Sequence, residues 1–370
     1  MAPTSSGRES QNSFTKRWGD PLFVAVARAR ETGGVSVHLL YYRNLPMATI
    51  FRRPPQTKMT RTSESHGHVR TADRVLRGTP VEKALPNFHL TKRDIAIVEA
   101  VYAHRALTTQ HIETLLFRPS THSRCLLRVR LLHQHGYLLR SGQPQELSEG
   151  RRHYVYWLAQ KGAELVAINQ GREVPELDWR LGEHKVKTDF LEHLLDTNTF
   201  RIAVTLALHK LGYALEAWRD DRTLKREHAK ESVTIHGPQG GSEQVAFVPD
   251  GYFSYAAGDY TYRQFLETDR RTVTGSSEVE KRPDWARKVN AYLAYYNSEK
   301  IHERYGSRKG RVLTVTTGEK RVANLKAITE REGGKGKFWF TTLDQVTPET
   351  VLTAPIWRKA GSDELHSLIW

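Results

Sequence analysis

The sequence predicts a mixed fold, with an α+β unit over residues 87–170 and an α/β unit over residues 180–358. Three observations lead to this prediction. Apolar residues recur at helical spacing through residues 90–134. Strand-like runs around a polar turn follow in residues 137–158. From residue 213, strand-like and helix-like runs alternate, which is typical of an α/β sheet.

The residues outside these units form a basic arm, residues 1–86, and a tail, residues 359–370. The arm is rich in Ser, Thr, Pro, Gly and Arg, and it carries 14 Lys or Arg against six Asp or Glu up to Lys83. A segment of this composition buries little apolar surface, so we expect low order in the arm. Met47 and Met59 leave open whether translation starts at Met1.

Charge and composition limit the kinds of partner. The net charge of +15 and the pI near 9.8 favour a polyanionic partner, and nucleic acid is a commoner one than an anionic membrane for a chain without lipid-facing stretches. No run approaches the roughly 20 apolar residues that span a bilayer, so no membrane is expected. Cys125 is the single cysteine, which excludes an internal disulfide and agrees with a reducing cytoplasm. No GxxxxGK[ST] motif occurs, so no nucleotide cofactor is expected.

Three short helices are predicted in the first unit. Thr91 suits the cap of the first helix and Thr108 the cap of the second. Pro119 stops the second helix, Ser120 caps the third, and Gly136 suits the position after its end. Helices in this order predict a helix-turn-helix, whose third helix would lie in the major groove of DNA.

A hairpin follows these helices. Strand-like residues 137–140 and 153–158 flank a polar turn and predict the wing of a winged helix. Within the third helix, Cys125, Leu126 and Val129 are expected to pack inward. The candidate DNA contacts are polar residues of the second helix, the third helix and the wing, namely Thr109, Gln110, His122, Ser123, Arg124, Arg128, Arg130, Arg151 and Arg152.

Between the two units, residues 169–175 form a polar run that predicts a linker. A long helix is predicted over residues 183–211, with Asn198 as the point at which it would divide. Tyr292, Tyr295 and Tyr296 recur at helical spacing and are expected in the core. The predicted strands are 215–218, 244–255, 260–268, 312–317 and 338–342, with helices beginning at Pro283 and covering 319–330 and a right-handed crossover between parallel strands.

Three acids in this unit suggest chemistry. Asp250 lies at a turn between two strands, and Glu267 and Asp269 share a strand face because they are two residues apart. Convergence of the three carboxylates could hold Mg²⁺ or Mn²⁺ and activate water against a phosphodiester. Acids at strand ends are also commonly solvated turn residues, so the pattern alone leaves both interpretations open. The pair His133 and His135 ends a helix and is expected to be structural.

A series of short motifs resembles the bacterial replication-relaxation proteins, and it covers about residues 88–357. The motifs are LTKRD at 90–94, LTTQ at 107–110, YVYWL at 154–158, KG at 161–162, PD at 249–250, ETDR at 267–270, RK at 287–288 followed by Tyr292, VTT at 315–317 and PIW at 355–357.

The resemblance implies replication, relaxation or mobilisation of DNA in a plasmid or mobile element, and a PD-(D/E)xK nuclease-like second unit. By position, Asp250 matches the first metal-binding acid and Glu267 the second. In working PD-(D/E)xK nucleases a lysine usually stands two residues after the second acid, where this chain has Asp269. Lys288 on the following helix is the best substitute, and Asp189 is a further candidate acid.

The resemblance leaves three functions open. The first is a metal-dependent DNA nickase or endonuclease that uses Asp250, Glu267, Asp269 and Lys288. The second is a catalytically inactive DNA-binding accessory factor, and the third is a winged-helix transcriptional regulator. Replication or mobilisation proteins are the implied protein partners. The sequence does not predict the oligomeric state or the DNA site.

Overall fold

The computed structural model describes residues 86–143, 153–227, 231–236, 240–270 and 284–369, which form a mixed α+β structure. Its helices are α1 (Lys92–His104), α2 (Thr109–Leu116), α3 (His122–Gln134), α4 (Gln160–Gln170), α5 (Thr188–Lys210), α6 (Asp221–Glu227), α7 (Asp284–Asn297), α8 (Glu299–Tyr305) and α9 (Glu319–Arg331). Its strands are β1 (Ala106–Thr108), β2 (Leu138–Ser141), β3 (Val155–Leu158), β4 (Leu215–Asp220), β5 (Ser232–His236), β6 (Ser242–Ala246), β7 (Gly251–Ala257), β8 (Tyr260–Asp269), β9 (Arg311–Thr316), β10 (Phe338–Thr342), β11 (Trp357–Lys359) and β12 (Leu365–His366).

The first two helices begin where their caps were predicted. The Thr91 hydroxyl accepts a hydrogen bond from the Asp94 amide at 3.3 Å, and the Asp94 carboxylate accepts one from the Thr91 amide at 2.7 Å. Thr108 and His111 form the same reciprocal box at the start of α2. Each box gives partners to amides that a helix start leaves unpaired.

The third helix begins later than predicted. Its N-cap is Thr121, and Ser120 has a φ of +67°, in the left-handed region. Ser120 therefore belongs to the turn between α2 and α3. The end of α3 agrees with the prediction, since Gly136 follows it with a φ of +78°, a conformation that glycine adopts without steric cost.

A small antiparallel sheet completes this part of the chain, in the order β1-β3-β2. Strands β2 and β3 pair with Leu138 opposite Leu158, at the place of the predicted hairpin. Arg151 and Arg152, the predicted phosphate contacts, lie between these strands, outside the described residues.

The apolar face of α3 is narrower than predicted. Cys125, Val129 and Leu132 are buried, whereas Leu126 is 40% exposed and Leu127 is 43% exposed. The prediction that Leu126 packs inward was wrong, because it lies beyond the stripe set by the buried residues' 4/3 spacing.

Helix α5 is continuous, contrary to the predicted division at Asn198. The Asn198 side chain is 3% exposed, and its amide donates to the carbonyls of His104 at 3.0 Å and Ala106 at 2.8 Å. The prediction failed because this amide bonds to the backbone of another segment, where it gives two buried carbonyls a partner.

Two faces of α5 belong to different cores. Leu191, Leu194 and Leu195 pack with Trp157 of the small sheet. Phe200 and other residues on another face pack against strands of the large sheet. The residues just after the predicted linker also pack onto the first part of the chain, since Leu177 is buried there and the Trp179 indole donates to the Leu158 carbonyl at 3.2 Å.

The large sheet has the order β12-β11-β10-β9-β8-β7-β4. Strands β8, β9 and β10 are parallel, and their neighbours on either side are antiparallel. Helices α7 and α9 lie on one face and α5 lies on the other, so Phe265 and Leu266 of β8 point into different cores. This alternation positions the candidate site.

Two boundaries differ from the prediction. The predicted strand over 244–255 is divided into β6, which pairs with β5 in a hairpin against α7, and β7. Asp250 immediately precedes β7. The predicted tail forms β11 and β12 at the edge of the sheet, and Leu368 and Ile369 are buried. None of the described helices has the length and apolar content needed to cross a membrane.

Candidate active site

Strand pairing brings the first two predicted acids together. Gly251 of β7 pairs with Leu266 of β8, so Asp250 lies beside Glu267 at the adjacent position. The Asp250 carboxylate accepts a hydrogen bond from the Thr268 amide at 2.9 Å, which fixes this arrangement. Glu267 points toward α7, and Thr268 points the opposite way, to the hydroxyl of Thr197 on α5.

Glu267 is held by two residues of α7. Its carboxylate is 1% exposed; Oε2 accepts a hydrogen bond from Lys288 Nζ, and Oε1 accepts one from the Tyr292 hydroxyl at 2.6 Å. Lys288 and Tyr292 lie four residues apart, so they share one face of the helix. The Lys288 side chain is 39% exposed, which connects this buried pair to solvent.

The charges in the site are coupled. Burial raises the pKa of Glu267, against the opposing effect of the Lys288 ammonium. Burial alone would lower the pKa of Lys288, but Glu267 and Asp250 outweigh burial and raise it. Lys288 therefore remains a cation between two acids.

Asp250 is the more strongly ionised of the two acids. Burial opposes its ionisation, but Lys288, His193 and the Thr268 amide together hold the pKa of Asp250 well below its usual range. His193 comes from α5, and its Nε2 lies 3.6 Å from Asp250 Oδ1. Burial would lower the pKa of His193, and the contact with Asp250 raises it instead.

Asp269 does not join this group. Its two carboxylate oxygens accept hydrogen bonds from Arg321 Nε and Nη2 of α9, both at 3.0 Å. Among the described residues there is no cluster of three or more His, Cys, Asp or Glu side chains that could hold a metal. The three acids predicted to converge are thus a pair, Asp250 and Glu267, with Asp269 held separately by a bidentate arginine.

Three residues of this region were missed by the sequence interpretation. Asp189, the predicted further acid, is exposed in the first turn of α5, and His193, four residues later, is the α5 side chain that reaches Asp250. Tyr292 is buried as predicted but also bonds Glu267. Helical spacing from Asp189 and from Lys288 could have indicated His193 and Tyr292. No local pattern marks Arg321, because its partner Asp269 is 52 residues away.

Two predicted DNA contacts serve the structure instead. Thr109 is 1% exposed in the core between α2 and α3. Arg128 donates from Nε to Asp94 at 2.8 Å, again to Asp94 from Nη2, and to the His89 carbonyl at 3.2 Å. Asp94 is fully buried, so Arg128 is the counter-ion of a buried acid.

The remaining predicted contacts on α2 and α3 are exposed. His122 Nδ1 lies 2.6 Å from a carboxylate oxygen of Glu113 on α2. The predicted contacts that stay on the surface of these two helices are Gln110, His122, Ser123, Arg124 and Arg130.

The predicted structural role of the two histidines at the end of α3 agrees with their contacts. His133 bonds the Leu138 carbonyl at 3.1 Å and His135 bonds the Pro86 carbonyl at 3.0 Å. Each ring thereby ties the end of α3 to a neighbouring segment.

The donor set at Asp250 and Glu267 fits a small divalent cation. Mg²⁺ is commonly bound by one or two carboxylates, with water and substrate phosphate oxygens completing its ligands. One of these carboxylates, Asp250, is already ionised, and the other, Glu267, is bonded by the Lys288 ammonium.

The fold and site define a mixed α+β protein in which a buried glutamate, Glu267, lies beside the half-buried Asp250 and accepts a hydrogen bond from a lysine of helix α7. The replication-relaxation family model matches residues 98–309, more than half of the sequence, and the chain belongs to this family. The resemblance carried by the motifs is thereby confirmed. No curated protein matches the sequence.

Two solved structures of the restriction endonuclease FokI show a weak likeness. One, of the enzyme itself, has 10% identity and a TM-score of 0.23 over 69% of this chain and 42% of that chain. The other, of the enzyme bound to DNA, has 13% identity and a TM-score of 0.20 over 69% and 43%. The chain spans about two fifths of the length of these structures, and likeness at this level carries no argument about fold or activity.

Proposed function

We propose that the chain binds double-stranded DNA and nicks it in a metal-dependent reaction that serves replication, relaxation or mobilisation of a plasmid or mobile element. The observation that carries the proposal is the contact of Lys288 with Glu267, beside the ionised Asp250. Membership of the replication-relaxation family supports the broader role in replication or relaxation.

The position of Lys288 supports a PD-(D/E)xK-like active site. The usual lysine position on the strand is occupied by Asp269, whose charge is neutralised by Arg321. Lys288 reaches the second acid from α7 and supplies the missing cation. This chain would thus carry the lysine on helix α7 instead of on the strand, and the lysine would still contact the second acid.

The chemistry follows from these groups. Asp250 and Glu267 would hold Mg²⁺ or Mn²⁺, and the bound metal would polarise the phosphate and lower the pKa of a water molecule. Lys288 would orient that water and stabilise the negative charge that develops on the phosphate. Hydrolysis forms one phosphorus–oxygen bond to water and breaks one to the sugar, so a single strand is cut.

The first part of the chain would bind the duplex as a winged helix-turn-helix. Helix α3 follows two packed helices and precedes the β2–β3 pair, which is the order of that motif. Arg124 and Arg130 are exposed on α3, and Gln110 is exposed on α2. Binding through such cations should weaken steeply with salt, because phosphate contacts release counterions.

A nicking assay tests the catalytic proposal. Supercoiled plasmid is incubated with Mg²⁺ or Mn²⁺ and wild type, Asp250→Asn or Lys288→Ala, with Asp259→Asn as the control. Asp259 is an exposed acid in the β7–β8 turn. We expect nicking by wild type and the control and a large loss in the two site variants. Equal nicking by all four proteins would point to a contaminating nuclease and refute the proposal.

The second candidate is a DNA-binding accessory factor or winged-helix regulator without cleavage. The bidentate contact between Asp269 and Arg321 favours it. Asp269 stands at the position where a nuclease usually has its lysine, and Arg321 neutralises the charge of this acid. Duplex binding without nicking in either metal would support this candidate. Binding as a dimer to a palindromic operator would favour the regulator in particular.

A further inference from the structure

Helix α7 presents two side chains to one carboxylate. Lys288 bonds Oε2 of Glu267, and Tyr292, one turn later, bonds Oε1 at 2.6 Å. The carboxylate and the tyrosine are both buried. The hydroxyl therefore bonds the carboxylate oxygen of this proposed metal ligand that the lysine leaves free of its own contact.

The tyrosine ring is fixed by its neighbours. It packs edge-on against Phe247, Phe265 and Phe338, with ring centroids 4.9, 5.7 and 5.6 Å away. Aromatic packing of this kind restricts the ring to one position. Its hydroxyl is consequently a donor at a fixed point beside Glu267.

We propose that Tyr292 is a positioning residue that orients Glu267 for metal binding. By bonding Oε1, it fixes the rotation of the carboxylate, so that Oε2 faces Lys288 beside Asp250. Hydrogen-bond partners of ligating carboxylates commonly control metal affinity in this way. The inference rests on the proposed metal-dependent function and adds a residue to the same site.

The same helix supplies a matched control. Tyr296 lies one turn beyond Tyr292, is also buried, and has a hydroxyl without a hydrogen-bond partner among the residues that the structure describes. Both substitutions to phenylalanine keep the ring and remove one oxygen. Only Tyr292→Phe removes a bond to Glu267.

The experiment measures Mn²⁺ binding to the full chain by electron paramagnetic resonance, with thermal unfolding recorded for each variant. We expect Tyr292→Phe to weaken Mn²⁺ binding by about 10- to 100-fold and Tyr296→Phe to leave it unchanged. In a Glu267→Gln background, Tyr292→Phe should have no further effect, since the tyrosine acts through that carboxylate. The nicking reaction should show a matching rise in the Mn²⁺ concentration needed for half-maximal rate.

The outcomes separate this inference from the proposed function. Wild-type Mn²⁺ binding that Tyr292→Phe leaves unchanged would overturn the positioning role alone. An equal loss in Tyr296→Phe, or a full further loss in the Glu267→Gln background, would also overturn it. Failure of the wild type to bind Mn²⁺ would refute the metal-dependent function and the inference together.

Discussion

Arg128 and Arg124 lie on the same helix, but their substitution should affect different properties: the stability of the fold for Arg128 and the affinity for DNA for Arg124. Asp94, which is fully buried, accepts two hydrogen bonds from Thr91 and two from Arg128. Arg128→Ala removes two of these four bonds and the cation of the pair. Arg124 is exposed, so Arg124→Ala leaves no buried group without a partner.

The size of the effect follows from the burial of Asp94. Removing one partner of a buried ion pair costs about 3–5 kcal/mol. Because Thr91 still bonds Asp94 and the Arg128 side chain is 23% exposed, we expect the lower end, about 3 kcal/mol, for Arg128→Ala. Arg124→Ala should change stability by less than about 0.5 kcal/mol.

Two measurements separate the roles. Urea unfolding followed by circular dichroism gives the free energy of unfolding, and duplex binding at several salt concentrations gives the affinity. Arg124→Ala should weaken binding and lower the salt slope by about 1, as expected for the loss of one phosphate contact. If Arg128→Ala kept full stability and weakened DNA binding as Arg124→Ala does, the assignment of Arg128 to Asp94 would be wrong.

Three further predictions concern other contacts. Burial, with a contribution from His153, lowers the pKa of His111 to about 4. As the pH falls, His111 therefore takes up a proton in the unfolded chain before it does so in the folded chain. About 3 kcal/mol of stability that is present above pH 6.5 is lost as the pH falls toward 4. His104, whose pKa burial also lowers, acts in the same direction. His111→Gln should flatten this dependence in urea unfolding, and an unchanged slope would contradict it. Asp269→Asn should leave Mn²⁺ affinity near that of wild type, because Arg321 engages both carboxylate oxygens; a loss as large as that of Asp250→Asn would restore Asp269 as a ligand. Asn198→Ala should cost about 2 kcal/mol, since two buried carbonyls lose their donor. Thr205→Ala is the control, because the Thr205 hydroxyl bonds only the Arg201 carbonyl of its own helix, and equal costs for both would refute this role of Asn198.

Local patterns predicted most of the helices and strands. The caps at Thr91 and Thr108 and the strand over 338–342 depend on residues close in sequence, and the structure agrees with them. The exceptions depend on distant partners. Asn198 has the composition of a helix breaker, but its amide bonds a segment more than 90 residues away.

The candidate site was predictable in the same limited sense. The expected convergence at adjacent strands named Asp250 and Glu267, but it also included Asp269, which strand alternation put on the same face as Glu267. The lysine missing from the family motif led to Lys288 on the following helix. Arg128 has the sequence features of a groove-binding residue, and only the burial of Asp94 reveals its other role. Charge on a helix face identifies candidates, and tertiary contacts decide which of them remain on the surface.

The shared helix α5 has a consequence for how far apart binding and cutting would occur. Ile202 of α5 packs in the core that supports α3, and an earlier turn of α5 bears His193 beside Asp250. A protein that binds DNA through α3 would therefore hold Asp250 and Glu267 at a fixed distance from α3 along the duplex. Nicks should fall a constant number of base pairs from the bound sequence. A chimaera that replaces the first part of the chain with another DNA-binding domain would also have to replace the residues of α5 that pack against it.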